Sequence, residues 1–302
     1  LIEIENDGYG PESAIASLVA ALNAEMGAGT YAYVDPGVDQ LGSDAIAVGF
    51  IYKPGEVQLI GDAAILDKTV DARFDSDNQR PSLAQSFREI DGGGTFTAVV
   101  NHLKSKGSPV EGTPGDADQG DGAGNANTTR TLAAEALADW IASDPTGSGD
   151  SDVLLLGDMN AYAMEDPIRA LLAGSDDTAG TGDDFVNLAP EAYSYAFPVD
   201  LATAGQVQAY GSLDYAIGSG SLAGQVTGAA PWHINADEPG LIDYNTEFKP
   251  DNPDIYAPDA FRSSDHDPMI IGLDLTPDAK LARLDFGGDF PKYRLSYSLD
   301  GE

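Results

Sequence analysis

Val153-Leu154-Leu155-Leu156-Gly157-Asp158-Met159-Asn160-Ala161 is the stretch that decides how this chain is read. Four consecutive apolar residues predict a buried strand. The run stops at Gly157. Asp158 and Asn160 follow two apart, placed to project into one crevice at the strand's C-terminal end. Apolar strands that deliver polar groups at that end are where α/β enzymes keep their chemistry. A carboxylate beside a carboxamide suits the handling of a water molecule or a metal ion. Read alone, the stretch is equally a strand closing in an Asx turn, so its neighbours have to separate the two readings.

Upstream, residues 127–143 predict a helix with Leu132, Ala136, Leu137, Trp140 and Ile141 on one side. Before it lies a long loop over 107–127, dominated by Gly, Asp, Asn and Pro. Residues 95–100 are a β-branched strand that discharges into Asn101-His102-Leu103-Lys104-Ser105. Residues 61–80 read as polar and irregular. Strands are expected at 30–34 and 45–52. At the start, Leu1-Ile2-Glu3-Ile4-Glu5-Asn6 alternates apolar and polar as a strand does. A helix opening at Gly10-Pro11 follows, with Ile15, Leu18, Val19 and Leu22 as its apolar stripe.

Downstream, Asp166-Pro167 starts a short helix. Strands are expected at 193–197, 213–217, 222–229 and 269–275. Helices interleave with strands, and several strands are joined by short turns. That mix predicts an α/β sandwich with mostly antiparallel sheets. The domain is expected to end at residue 276, leaving 277–302 as a linker or the start of a further module.

The chain has 302 residues, enough to bury a large core. It holds no run of 18 apolar residues, so no membrane-spanning helix is expected. Cysteine is absent, which excludes disulfides, thiolate nucleophiles and zinc–cysteine sites. Fifteen basic residues face fifty acidic ones, a formal net charge of -35. Such a surface repels nucleic acid and anionic membranes at long range and attracts divalent cations. The first residue is Leu, and the opening residues already read as a strand with no signal peptide. The expectation is a fragment or a processed product.

Polar motifs recur where strands begin or end: Glu3, Arg80, Asn101-His102, Asp158 with Asn160, Ser212-Leu213-Asp214-Tyr215 and Ser264-Asp265-His266-Asp267-Pro268. Only three histidines exist, and two lie in these motifs. Glu3 and Asp265 are hard oxygen ligands of the kind Mg²⁺ prefers. Asp214 could orient His266 by accepting its second ring proton. His102, Arg80 and Lys104 could bind a phosphate. Together these groups spell metal-assisted phosphodiester hydrolysis.

The ordered series Glu-Ile-Glu-Asn, Asn-His-Leu-Lys-Ser, Gly-Asp-Met-Asn-Ala, Leu-Asp-Tyr and Ser-Asp-His-Asp-Pro resembles the endonuclease/exonuclease/phosphatase superfamily over residues 1 to 275. Within it, the series looks most like the secreted bacterial extracellular nucleases. Trp232-His233-Ile234-Asn235-Ala236-Asp237-Glu238-Pro239 is a supporting phrase. The resemblance implies a four-layer α/β sandwich, two mostly antiparallel sheets flanked by helices. It implies Mg²⁺, with Mn²⁺ as a substitute, and hydrolysis of extracellular DNA, extending to RNA, by in-line attack of water.

By resemblance, Glu3 is the principal metal ligand with Asp265 close to the ion. Asp158 positions or deprotonates the water, and Asn160 holds the site or the phosphate. His266, oriented by Asp214, contacts the scissile phosphate and can act as the base. His102 is a second phosphate-binding imidazole and a general acid. Arg80, Asn101 and Lys104 contact phosphate. His233 is expected to be structural, packed beside Trp232, and Lys106 an ordinary surface lysine.

The chain departs from the family pattern in two places. The superfamily's first strand and helix have no match here, so the natural protein is expected to continue upstream. The loop after His102, where relatives carry cysteines, reads Gly115-Asp116-Ala117-Asp118-Gln119-Gly120-Asp121-Gly122, in which a structural Ca²⁺ competes with a plain solvated loop. Two rivals stand beside the nuclease: a phosphodiesterase or phosphatase of the same superfamily acting on lipid or sugar phosphates, and a catalytically impaired domain serving as a surface, filament or matrix component.

Overall fold

The computed structural model describes residues 1–201, 205–239, 242 and 259–277. The expected linker or further module falls almost wholly outside these residues. The opening alternation forms β1 (Ile4–Glu5). Helix α1 (Ala14–Met26) starts later than Gly10-Pro11, behind the N-cap Ser13, whose hydroxyl accepts the Ala16 amide. Of its apolar stripe, Ile15 and Val19 are buried while Leu18 is exposed. The expected strands at 30–34 and 45–52 are present only as short pieces: β2 (Ala32–Tyr33), β3 (Ile46–Ala47) and β4 (Ile51–Tyr52).

The reading of 61–80 as irregular is corrected at its start, because β5 runs over Val57–Leu66. Gly61 sits at φ +68, and the pairing register shifts between Ile60 and Ala64. This bulge breaks the period-2 pattern, which hides the strand in the sequence. After it come β6 (Ser82–Glu89), β7 (Thr95–His102), helix α2 (Asn127–Ala142), β8 (Val153–Asp158) and helix α3 (Asp166–Leu172). The chain continues through β9 (Phe185–Asn187), β10 (Tyr195–Leu201), β11 (Gly205–Gly211) and β12 (Asp214–Ser219). Residues 222–229 are not one strand. They divide between helix α4 (Gly220–Ala223) and β13 (Val226–Pro231), which pairs with β14 (Met269–Leu273).

One six-stranded sheet organises the molecule, in the order β5-β6-β7-β8-β12-β9. Every pairing in it is antiparallel except β7 with β8. A parallel pair needs a crossover, and α2 supplies it. Val99 and Val100, neighbours on β7, point to opposite faces, as strand geometry requires. Val99 packs with Leu155 of β8, Leu137 of α2 and Ile168 of α3. Val100 packs with Leu83 of β6 and with Val48 and Ala47, beneath the β1–β3 and β2–β4 pairs. Helix α1 lies against β1 and β2. The layers are therefore helices α2 and α3, the six-stranded sheet, the short strands β1–β4, and α1. This is a four-layer α/β sandwich whose second sheet is reduced to two-stranded pieces.

Candidate active site

The parallel β7–α2–β8 unit brings two strand ends to the same edge of the sheet. In register, His102 at the end of β7 lies opposite Asp158 at the end of β8. β12 runs antiparallel to β8, and its first residue, Asp214, also lies opposite Asp158. Three motifs far apart in sequence thus stand side by side on adjacent strands. The last arrives from outside the sheet: His266 forms an antiparallel bridge with Tyr195, and its Nδ1 is 2.7 Å from Asp214 Oδ2. The Tyr195 ring leans over the imidazole, 4.6 Å between centroids.

The strand of Asp158 does not stop at Gly157, as its sequence suggests, but passes through it. Gly157 has φ +131, and a Cβ there would sit 2.0 Å from the Asn101 carbonyl oxygen. Only glycine allows β7 and β8 to approach so closely just before the two catalytic candidates. Asn160 then turns at φ +48, a left-handed conformation that asparagine tolerates. Its amide N–H donates to Asp158 Oδ1 at 2.7 Å, and its Nδ2 donates to Asp158 Oδ2 at 2.9 Å and to the Leu103 carbonyl at 3.1 Å. Asn160 therefore fixes the Asp158 carboxylate and ties it to the chain beyond β7.

Burial and crowding set the charges. Burial, reinforced by the Asp214 charge, pushes the Asp158 carboxyl up to about 7. For His266, burial acts to lower the pKa, but the Asp214 hydrogen bond and charge, with Asp158 and Asp265, outweigh it and lift the imidazole to about 9. Burial, with Arg80 nearby, drops His102 to about 4. Its Nε2 is 3.4 Å from Asp158 Oδ2 and 3.8 Å from Glu3 Oε1. With a neutral imidazole and a carboxyl near its midpoint, these are not ion pairs. Glu3 is half exposed, and its carboxyl is raised by burial and by the Asp265 charge.

The ligand atoms of Asp158, Asp214 and His266 lie within 4.8 Å of one another, so this trio could hold a metal ion. His266 would first have to give up the proton that its surroundings stabilise. Glu3 and Asp265 offer hard oxygens of the kind a divalent cation prefers. Their mutual repulsion is what a divalent cation would relieve, and the donor set fits such an ion.

Of the expected phosphate contacts, Arg80 reaches the neighbourhood of Glu3 and His102, with its Nε held 2.9 Å from Asp44 Oδ2. Lys104 is partly buried beside Arg80, its Nζ 3.4 Å from Ser108 Oγ. Asn101 requires correction. It is fully buried, its Oδ1 accepts the Ser82 hydroxyl at 2.6 Å, and both Nδ2 hydrogens go to the Val99 and Leu156 carbonyls. Its carboxamide belongs to the sheet and has no donor left for a phosphate.

Several polar residues differ from what the sequence predicts for them. Lys106 is no ordinary surface lysine: its Nζ contacts both Glu165 oxygens and the Ala123 carbonyl and lies over the Tyr162 ring. Asp116, in the loop considered for Ca²⁺, is fully buried and accepts the Val110 and Thr129 amides and the Thr129 hydroxyl. It caps α2 from ten residues away, since the N-cap position is Ala126 and offers no side chain. Arg130, fully buried on α2, donates to the carbonyls of Lys104, Asn125 and Ala123. No sequence spacing announces these long-range bonds. His233 does not pack as expected beside Trp232, which is exposed; it pairs with Asp267 at 2.7 Å and stacks on Tyr193.

No protein-family profile and no curated protein matches the sequence. The chain is similar to solved structures of the endonuclease/exonuclease/phosphatase family. One from Bacteroides vulgatus is 13% identical over 84% of this chain and 80% of its own, with a TM-score of 0.47. A mannosyl-6-phosphatase from Bacteroides thetaiotaomicron is 13% identical over 72% of each chain, TM-score 0.43. TDP2 from D. rerio, solved with a single-strand DNA product, is 14% identical over 72% of this chain and 74% of its own, TM-score 0.40.

Proposed function

We propose that this protein is a secreted, divalent-metal-dependent phosphodiesterase that hydrolyses DNA, and RNA as a second substrate, by direct attack of water on phosphorus. The observation that carries the reading is the alignment of His102, Asp158 and Asp214 on three adjacent strands with His266 held on Asp214 at 2.7 Å. Phosphoryl transfer to water needs a group that takes a proton from the nucleophile and groups that meet the charge on the phosphate. Asp158, poised near neutrality and fixed by Asn160, takes the proton. His266, cationic at neutral pH, meets the phosphate, so it serves here as charge partner rather than as base. His102 is neutral and serves as a hydrogen-bonding imidazole rather than as the general acid expected for it. Arg80 and Lys104 line the approach to the phosphate.

Glu3 and Asp265 would hold the metal, and bound there it would supply Lewis-acid polarisation of the phosphoryl oxygens. Mg²⁺ suits such oxygen donors, and Mn²⁺ replaces it. Ca²⁺ gains no support at the 115–122 loop, where Asp116 is taken up by the Val110 and Thr129 amides and the Thr129 hydroxyl. The reading is tested by incubating plasmid DNA with the protein in Mg²⁺, beside His266→Ala and a chelated sample. Metal-dependent degradation that vanishes in the variant supports it; undiminished cleavage by the variant contradicts it.

The net charge of -35 favours a second reading. A surface this acidic admits a small phosphate ester more readily than a polyanion. On that reading the substrate is a sugar or lipid phosphate, and a panel of phosphate mono- and diesters separates the two. No helix among the described residues is long and apolar enough to cross a membrane.

A further inference from the structure

The site at His266 has a second Asp–His pair as its neighbour. Asp267, the next residue, is buried, and its Oδ2 lies 2.7 Å from His233 Nδ1 while its Oδ1 accepts the Asn235 and Ala236 amides. The backbone joins the two pairs: Asp267 N–H donates to the Ser194 carbonyl, and the Ser194 hydroxyl accepts the Leu213 and Asp214 amides. Each imidazole meets a tyrosine from the same segment. Tyr195 leans on His266, and Tyr193 stacks on His233 at 4.1 Å with 15° between the planes. Tyr210 of β11 meets Tyr193 edge-on at 5.0 Å. Two residues of extended chain span about 7 Å, so the second ring stack stands of the order of one nucleotide from the first.

The second pair differs from the first in what surrounds it. Asp237 accepts the Tyr193 hydroxyl at 3.0 Å, so the immediate neighbourhood is acidic as well as aromatic. A second phosphate would be repelled there. A nucleobase would not, because stacking on an aromatic face does not depend on charge. Tyr210 is half exposed and the His233 side chain one third exposed, which leaves ring surface open to a ligand. The buried Asp267 fixes the His233 ring plane, so little side-chain freedom is lost when a base settles on it.

We propose that Tyr193, Tyr210 and His233 form a stacking subsite for an unpaired nucleobase adjoining the phosphodiester held at His266. This rests on the phosphodiesterase reading of that site and narrows it to nucleic acid whose bases are free to leave the helix. A base inside a duplex keeps its own stacking partners, so single strands are the better substrate. Stacking also answers the objection raised by the net charge, because it gives an acidic protein a hold on its substrate that does not rely on phosphate contacts.

The test measures kcat/KM in Mg²⁺ for single-stranded octathymidylate and for the same strand carrying tetrahydrofuran abasic residues, with wild type, Tyr210→Ala, His233→Ala and His266→Ala. Stacking of one base predicts that wild type prefers the base-bearing strand by about tenfold. Tyr210→Ala and His233→Ala should bring that ratio to within about twofold. Tyr210→Ala removes no buried partner, so it reports even if His233→Ala unfolds. A wild type that cuts both strands equally, or variants that keep the preference, would overturn the subsite and leave the phosphodiesterase intact. Wild type that cuts neither strand would remove both.

Discussion

At the scale of single residues, the proposed chemistry turns on the hydrogen bond between Asp214 and His266. The Asp214 carboxylate supplies both the hydrogen bond and the nearest charge that hold the imidazole up to about 9. Asp214→Asn should return the His266 pKa toward the ordinary histidine value, read by NMR titration of the ring protons, and lower kcat/KM by about 10²- to 10⁴-fold. The wild-type pH profile follows from the same shifts. Asp158 must lose its proton, so activity should rise through about pH 7, and His266 must keep its own, so activity should fall through about pH 9. A histidine raised from 6.5 to about 9 contributes stability that is fully present below pH 6.5 and lost as pH rises through about 9. Urea midpoints of wild type and His266→Gln should therefore converge across that window.

At the scale of elements, the site depends on how closely β7 and β8 approach. Gly157→Ala would drive a methyl group against the Asn101 carbonyl at a positive φ, and should cost about 3 kcal/mol or more in urea unfolding. Asp116→Ala would strand two buried amides and the Thr129 hydroxyl and loosen the start of α2, at about 3 kcal/mol. Neither role is legible in the sequence, although the elements around both positions are. The apolar run 153–156, the β-branched run before His102 and the periodicity of 127–143 announce a strand, a helix and a strand, because each carries an unbroken local signal; the parallel pairing of the two strands is not announced. β5 is hidden because its bulge at Gly61 breaks the period. Asp116 and Arg130 are hidden because their bonds run to backbone groups that no spacing rule connects. The motif residues His102, Asp158, Asp214 and His266 are visible as strand-end punctuation. Asn101 looked equally functional, but a strand alternates faces, and its side chain turns into the sheet.

At the scale of the whole molecule, the net charge of -35 sets the terms of any encounter with a polyanion. Most nucleic-acid binders weaken as salt is added. Here screening first relieves repulsion, so cleavage of DNA at fixed Mg²⁺ should accelerate as KCl rises from low concentration and slow only later. A monotonic fall from the lowest salt would show that local cationic contacts outweigh the global charge. On the proposed reading His102, Asp158, Asp214 and His266 form one metal-dependent phosphodiesterase site. This is tested most directly by the cleavage of DNA in Mg²⁺ by wild type beside His266→Ala and Asp158→Asn, with circular dichroism to verify folding. Cleavage should be abolished by chelation and fall at least about 100-fold in each variant. Folded variants that cut DNA as fast as wild type, or a folded wild type inert in Mg²⁺ and Mn²⁺, would contradict that reading.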